Sequence, residues 1–248
     1  MIKSPSQSGC AWQLIKRVKM SNGSNHFPVS SRRLLMMGAL LLALGGCTSG
    51  GGQPPQLQRL PERVELNGVP FFRGEAYQSG PGALASMLAQ QGVTVTPGLL
   101  DKPLKLPGAE ADLQKNMQVL AREYGMVVYP LDAELPALLT QVAAGYPVLV
   151  KFNEGRVWSE PRYAVVAGYN RFKRTILLRA GMNRRMPMDF DTFVSAWKGA
   201  GGWAVLIQSP TQLPAQVDPQ RWLKAADELA RAGQEPAAAT ARKALAGH

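Results

Sequence analysis

The chain has 248 residues, of which 46% are hydrophobic and 18% are charged, so it can bury a core and is not a disordered polypeptide. It contains two cysteines, Cys10 and Cys47, and two histidines, His26 and His248. These counts exclude a disulfide-rich scaffold and argue strongly against a zinc site of the cysteine–histidine type. We therefore expect no metal and no cofactor.

The position of the charge along the chain explains most of the formal net charge of +11. Residues 1–46 carry six basic residues and no acidic one, which leaves 22 basic and 17 acidic residues for the rest. More than half of the basic excess therefore belongs to the N-terminal segment rather than to the main body of the chain.

The N-terminal segment has the pattern of an export signal. Two arginines precede an apolar run at 34–44, which is too short to cross a bilayer as a helix. The run ends in Leu-Gly-Gly-Cys at 44–47, which resembles a bacterial lipobox. The resemblance implies that residues 1–46 are a signal peptide and that Cys47 carries a lipid. An uncleaved short membrane anchor is the alternative.

Two further residues refine this expectation. Thr48, rather than an aspartate, follows the cysteine, and by resemblance to the usual sorting rule this favours the outer membrane, with the protein facing the periplasm. A start at Met20 would give a signal peptide of ordinary length, so we expect Met20 to be the true start. The mature chain then divides into a lipidated cysteine with a flexible Gly/Pro/Gln-rich tether (47–61), a main domain (62–210) and an Ala-rich helical segment (211–248).

The hydrophobic pattern of the main domain changes from helical to alternating. In chain order it predicts an extended segment at 64–72, helices at 79–91 and 109–124, a strand at 126–129, a helix at 135–144, strands at 147–152, 162–169 and 175–179, a short helix at 190–197 and a strand at 203–208. Helices followed by an antiparallel sheet are typical of an α+β fold.

The last segment pairs two amphipathic stretches around Gly233, with small apolar residues at helical spacing on both sides. It resembles one tetratricopeptide hairpin. A single such repeat cannot bury its apolar face alone, so it either docks on the main domain or receives a partner.

Two motifs carry a resemblance to a known family. Gln-Ser-Gly-Pro at 78–81 opens the first predicted helix, and Arg-Tyr-Ala-Val-Val at 162–166 begins a predicted strand. Together they resemble the papain-like cysteine peptidases of the bacteriocin-processing (double-glycine leader) family, in particular a lipoprotein branch with a tetratricopeptide-like C-terminus. The resemblance covers residues 62–248 and implies a papain-like cysteine-peptidase fold, with N-terminal helices packed on an antiparallel sheet.

The chain departs from that family at each catalytic position. The resemblance implies a cysteine nucleophile where Ser79 stands, a histidine base where Arg162 stands, and an oxyanion-hole glutamine where Gly74 stands. For the third catalytic residue, Asn183 and Asp189 are the nearest candidates, and neither matches well.

The chemistry of these side chains also predicts that Ser79 lacks a general base. A serine hydroxyl needs a positioned base, and an arginine guanidinium does not release its proton at neutral pH. His26 leaves with the signal peptide, His248 is the last residue, and the spacing of Lys151 does not point to Ser79. Ser79 is then a helix N-cap, or otherwise the nucleophile of a residual hydrolase. Arg162 is an ion-paired strand residue or a cation that binds an anion.

Several side chains are candidates for ligand contact in the former cleft: Gln78, Ser79, Trp158, Arg162 and Tyr163. A second candidate surface is basic and spans one predicted hairpin and the following loop: Arg171, Lys173, Arg174, Arg179, Arg184 and Arg185. It would either meet anionic lipid or be a solvated face, and nucleic acid is not an expected partner of an exported protein.

These observations predict a catalytically inactive, peptidase-like lipoprotein. It would bind a peptide or protein segment in the former active-site cleft or scaffold an envelope complex. The alternatives are a peptidase or other hydrolase that uses Ser79 as nucleophile, and a purely structural envelope protein whose cleft is filled.

Overall fold

A computed structural model describes residues 55–155 and 160–248. The predicted signal peptide, Cys47 and Trp158 lie outside these ranges. The helices are α1 Pro55–Gln58, α2 Ser79–Gln90, α3 Pro97–Asp101, α4 Leu113–Glu123, α5 Leu135–Ala143, α6 Phe190–Gly199, α7 Pro219–Arg231 and α8 Glu235–Ala246. The strands are β1 Arg63–Glu65, β2 Val127–Pro130, β3 Val148–Glu154, β4 Glu160–Asn170, β5 Thr175–Ala180, β6 Asn183–Asp189 and β7 Ala204–Gln208.

The strands form one antiparallel sheet in the order β2-β7-β3-β4-β5-β6, and β1 pairs with β4 beside this path. A Cβ on Gly168 would lie 2.6 Å from the carbonyl oxygen of Val64, so this glycine lets β1 approach β4 closely. The predicted α+β class, with helices packed on an antiparallel sheet and followed by a C-terminal helical hairpin, is confirmed.

Helices cover both faces of the sheet because successive residues of a strand point to opposite sides. On β3, Leu149 faces a core shared with α2, α3 and α4, whereas Val148 and Val150 face a core shared with α5, α6 and the C-terminal helices. The first of these faces carries the segment that contains Ser79.

Three segments differ from the sequence-based prediction. The extended segment 64–72 is a strand only at 63–65, and β6 is a strand that the hydrophobic pattern missed. Since β6 is an edge strand, arginines and a proline are tolerated in it and hide its alternation. The predicted tether 47–61 is already anchored in its last part, because Leu57 in α1 is buried in the core.

The C-terminal hairpin docks on the main domain. The Trp222 side chain of α7 is fully buried, and its Nε1 donates a hydrogen bond to the carbonyl oxygen of Ala241 in α8 at 2.8 Å. Its ring lies 6.1 Å from that of Tyr129 on the edge strand β2, and the Tyr129 hydroxyl accepts a hydrogen bond from the Asp218 N–H at 3.0 Å. The helical pair therefore buries part of its apolar surface against the main domain.

Across 55–155 and 160–248, no helix combines the length and apolar character that a membrane span requires. In the same ranges, no group of three or more His, Cys, Asp or Glu side chains is arranged to hold a metal ion.

Candidate functional site

The start of α2 and the start of β4 bring the two motifs of the sequence together. Ser79 is the first residue of α2, and its Oγ accepts a hydrogen bond from the Tyr163 N–H at 3.3 Å. The prediction that Ser79 is an N-cap was wrong, because the chain enters α2 from a 3-10 turn at Ala76–Gln78 and Gln78 occupies the cap position. The hydroxyl therefore joins the helix to the sheet.

Arg162 is an ion-paired strand residue. Its Nε lies 3.1 Å from a carboxylate oxygen of Glu154 without the geometry of a hydrogen bond, and its Nη2 donates to Glu160 at 3.2 Å. The strand register places both carboxylates near Arg162, because Glu160 lies two residues before Arg162 on β4 and pairs with Glu154 on β3. These two partners leave Arg162 outside the set of residues that surround Ser79.

Gly74 leaves room for the side chain of Gln78. The Gln78 Oε1 accepts a hydrogen bond from the Glu75 N–H at 3.3 Å, and a Cβ on Gly74 would lie 3.0 Å from it. The Gly74 N–H itself donates to the carbonyl oxygen of Gly181 at 3.3 Å. The Gly74 position therefore supplies no side-chain donor, and its backbone donor is already used.

A small cavity lies beside Ser79, which we call the Ser79 pocket. Its volume is about 10 Å³, which is the space of about one water molecule. It is lined by Phe71, Phe72, Gly74, Gln78, Ser79, Gly82, Ala83, Ser86, Tyr163, Arg179, Ala180 and Gly181. In the described part of the chain, the predicted cleft is therefore narrow at Ser79.

The pocket contains two ionisable side chains, Tyr163 and Arg179. Burial raises the pKa of Tyr163 to about 12, and its ring packs edge-on against that of Trp203 at 5.9 Å. At neutral pH a phenol and a guanidinium both hold their protons. Neither side chain can therefore take a proton from the Ser79 hydroxyl.

The other proposed partners of Ser79 do not line the pocket. Asn183 and Asp189 lie at the two ends of the exposed strand β6, and Lys151 lies on β3 opposite Tyr163. Residues 156–159, whose structure is not described, have the sequence Arg-Val-Trp-Ser, without a carboxylate or histidine.

Arg179 lines the Ser79 pocket, whereas the sequence pattern places it on the basic surface. Its exposed fraction is only 7%. Its Nη2 donates hydrogen bonds to the carbonyl oxygens of Leu66 at 2.8 Å and Asn67 at 3.2 Å, while Nε and Nη1 are buried without a partner among the described residues. Burial, together with repulsion from Arg184, lowers the pKa of Arg179, and attraction to the Glu65 carboxylate acts in the opposite direction. Alternation along β5 is the signal that could have found it, since Ile176 and Leu178 belong to the opposite core.

The remaining basic residues do lie at the surface, and several have acidic partners. Arg174 binds Asp191 at 2.9 Å, and Arg185 binds Glu65 at 2.7 Å. The hydrogen bond from Arg185 is the main reason why the pKa of Glu65 falls to about 2. Lys173 and Arg184 are exposed. The basic surface is therefore partly neutralised by its own carboxylates.

No protein-family model matches the sequence, and no curated protein is detectably similar to it. Among solved structures, the chain is similar to a protein described as a C39-like peptidase from Bacillus anthracis (16% identity, 59% of this chain and 98% of that one, TM-score 0.48). It is also similar to xylellain, a cysteine protease from Xylella fastidiosa (11% identity, 63% and 89%, TM-score 0.46). A third is the peptidase domain of Streptococcus ComA, a bifunctional ABC transporter of a quorum-sensing pathway (18% identity, 56% and 96%, TM-score 0.42). These identities and TM-scores are too low to extend the chemistry of those proteins to the Ser79 pocket.

Proposed function

We propose that this chain is a membrane-tethered lipoprotein with a peptidase-like fold that binds a peptide or protein segment at the Ser79 pocket without cleaving it. The observation that carries this proposal is the chemistry of the pocket, where the two ionisable side chains, Tyr163 and Arg179, both hold their protons at neutral pH. A positioned base contributes about 10²–10⁴ to a reaction rate, and Ser79 has none among the described residues.

Binding and cleavage can be separated with one unfolded protein substrate. We expect fluorescein-labelled α-casein to bind the full-length chain in detergent, measured by fluorescence anisotropy, and to remain uncleaved on a gel. A fluorophosphonate probe should not label Ser79. Cleavage or labelling that disappears in Ser79→Ala would instead establish the alternative, a hydrolase with Ser79 as nucleophile.

A matched pair of glycine substitutions tests where binding occurs. Gly82 lines the pocket, and a Cβ there meets only the carbonyl oxygen of Phe72, at 3.6 Å, so Gly82→Ala adds a methyl group without a clash. Gly98→Ala makes the same change in α3 with open space around it. We expect only Gly82→Ala to weaken casein binding. Equal binding by both variants would contradict a role for the pocket, and the absence of any binding would favour a structural protein.

The proposed tether is a lipid on Cys47 that holds the domain on the periplasmic face of the outer membrane. This part rests on the lipobox-like sequence at 44–47 and on Thr48. We expect radiolabelled palmitate to enter the wild-type chain and not Cys47→Ala, and the wild-type chain to fractionate with outer membranes. Palmitate incorporation into both chains would contradict the proposal.

The turn at 171–174 is the proposed contact with anionic lipid. It places Phe172, which is 81% exposed, between basic residues. The turn is tied to the segment that follows the tether, because the Arg171 N–H donates to the carbonyl oxygen of Glu62 at 2.8 Å. An aromatic tip flanked by cations suits an anionic membrane surface.

An environment-sensitive dye can test this orientation. We expect a fluorophore on Phe172→Cys to shift to shorter wavelength when the lipidated protein is placed in phosphatidylglycerol vesicles, but not in phosphatidylcholine vesicles. The same dye on Leu99→Cys, an exposed position on α3, is the control. Equal spectra in both vesicle types at position 172 would contradict the contact.

A further inference from the structure

The guanidinium of Arg179 is a buried charge that forms no ion pair with a described carboxylate; the Glu65 carboxylate attracts it only through space and is itself paired with Arg185. None of the ion pairs among the described residues includes it, although its exposed fraction is 7%. Burying an ionised group without a partner is unfavourable, and folded proteins normally provide an opposite charge or a ligand. The two carbonyl oxygens that accept from Nη2 leave the donors of Nε and Nη1 unused.

The surroundings of Arg179 in the Ser79 pocket also favour negative charge. The pocket includes the first residues of the twelve-residue helix α2, where the helix dipole is positive. No carboxylate lines it in the described part of the chain. Arg179, which has two unused donors, and the start of α2 therefore line one cavity that has no carboxylate among its described lining residues.

From these observations we propose that the Ser79 pocket binds a small anionic oxygen or halide, and that in the bound peptide this group is a carboxylate. The last clause rests on the proposed function. The size of the pocket, about 10 Å³, admits one carboxylate oxygen or one halide rather than a large side chain. A carboxylate oxygen would accept charge-assisted hydrogen bonds from the unused guanidinium donors.

The anion site can be tested without any peptide. We expect chloride and formate to raise the Tm of the full-length chain by about 3–6 °C at ten times their dissociation constants. Gluconate, which is too large for the pocket, should not do so at equal ionic strength. The shift should vanish in Arg179→Met and persist in Arg184→Met, its exposed neighbour on β6.

A second variant keeps the test decisive if Arg179→Met does not fold. Gly82→Ala retains every charge and adds a methyl group to the pocket, so the formate shift should shrink, while Gly98→Ala should retain it. Equal Tm shifts with formate and gluconate in the wild-type chain would overturn the anion site, regardless of the result with peptides.

The source of the carboxylate is tested with two peptides that differ in one group. Acetyl-trialanine with a free C-terminus should bind about tenfold or more tightly than its C-terminal amide in calorimetry, and Arg179→Met should remove that difference. Equal binding of acid and amide would overturn the carboxylate while leaving peptide binding intact. A formate shift without binding of either peptide would retain the anion site and contradict the peptide-binding function.

Discussion

The half-buried Arg122 and the buried Arg179 differ in what their charges contact. Arg122, at the end of α4, forms an ion pair with Glu228 of α7 and so fastens the C-terminal hairpin to the main domain. Arg179, on β5, donates hydrogen bonds to the carbonyl oxygens of Leu66 and Asn67 and forms no ion pair with a described residue. The Arg122 ion pair stabilises the hairpin interface, whereas the unused donors of Arg179 are the basis of our proposal that the Ser79 pocket binds an anion.

The largest effect is expected in the hairpin interface. Trp222→Ala should lower the free energy of unfolding by about 3–5 kcal/mol, because it removes a fully buried indole and its hydrogen bond to Ala241. Urea denaturation followed by circular dichroism measures this. Leu223→Ala, at the neighbouring position that is 40% exposed, should cost far less. Equal losses in the two variants would contradict a docked hairpin.

The arginines themselves should respond differently to loss of charge. Glu228→Gln leaves Arg122 without its carboxylate and should cost about 1–3 kcal/mol, less than a fully buried pair because Glu228 is partly exposed. Arg179→Met should stay within about 1 kcal/mol of wild type, because removal of an unpaired buried charge offsets two lost hydrogen bonds. Urea denaturation of both variants measures these costs. A loss of unfolding free energy well above about 1 kcal/mol in Arg179→Met would identify Arg179 as a structural residue.

A smaller effect is expected at Ser79. Ser79→Ala leaves the Tyr163 N–H without its acceptor and should cost about 0.5–1.5 kcal/mol. The same urea titration measures it. Ser86→Ala is the matched control in the same helix, since the Ser86 hydroxyl donates to the carbonyl oxygen of Gly82 within α2. If Ser79→Ala were no more costly than that control, the bond between α2 and β4 would have little energetic weight.

The smallest effect concerns a surface pair and its pH dependence. The pKa of the Glu65 carboxyl falls from 4.5 to about 2, chiefly through its hydrogen bond with Arg185. Because the folded-state pKa is lower than the unfolded one, its stabilisation is complete above pH 4.5 and disappears as the pH falls towards 2. Denaturation at pH 2–6 should show this slope in wild type and a flatter one in Glu65→Gln. An unchanged slope in Glu65→Gln would mean that other carboxyl groups cause the pH dependence of stability.

The sequence predicted the fold better than the pocket. Apolar periodicity located α2, α4, α5 and the central strands, because these elements bury one face against the sheet. It missed β6, where edge exposure permits Arg184, Arg185 and Pro187. A core strand has no such freedom, so its pattern is easier to recognise.

The site was predicted in part, because a motif names residues but not their contacts. Ser79 and Tyr163 do meet, as the two motifs implied. Arg162 is an ion-paired strand residue, which was one of its two expected roles, whereas Arg179 is buried although its residue type is usually exposed. The partner Glu160 lies only two residues from Arg162, but the burial of Arg179 depends on long-range packing, which no local spacing in the sequence encodes.

The most direct test of the central claim compares Arg179 and Arg122 in one experiment. In ¹H–¹⁵N spectra of the arginine side chains, titration with formate should move the Arg179 Nε–H signal in a saturable way. The Arg122 signal, whose guanidinium already has a carboxylate partner, should stay in place. A fixed Arg179 signal, or equal movement of both signals, would contradict the claim that the Ser79 pocket is reserved for an anionic ligand.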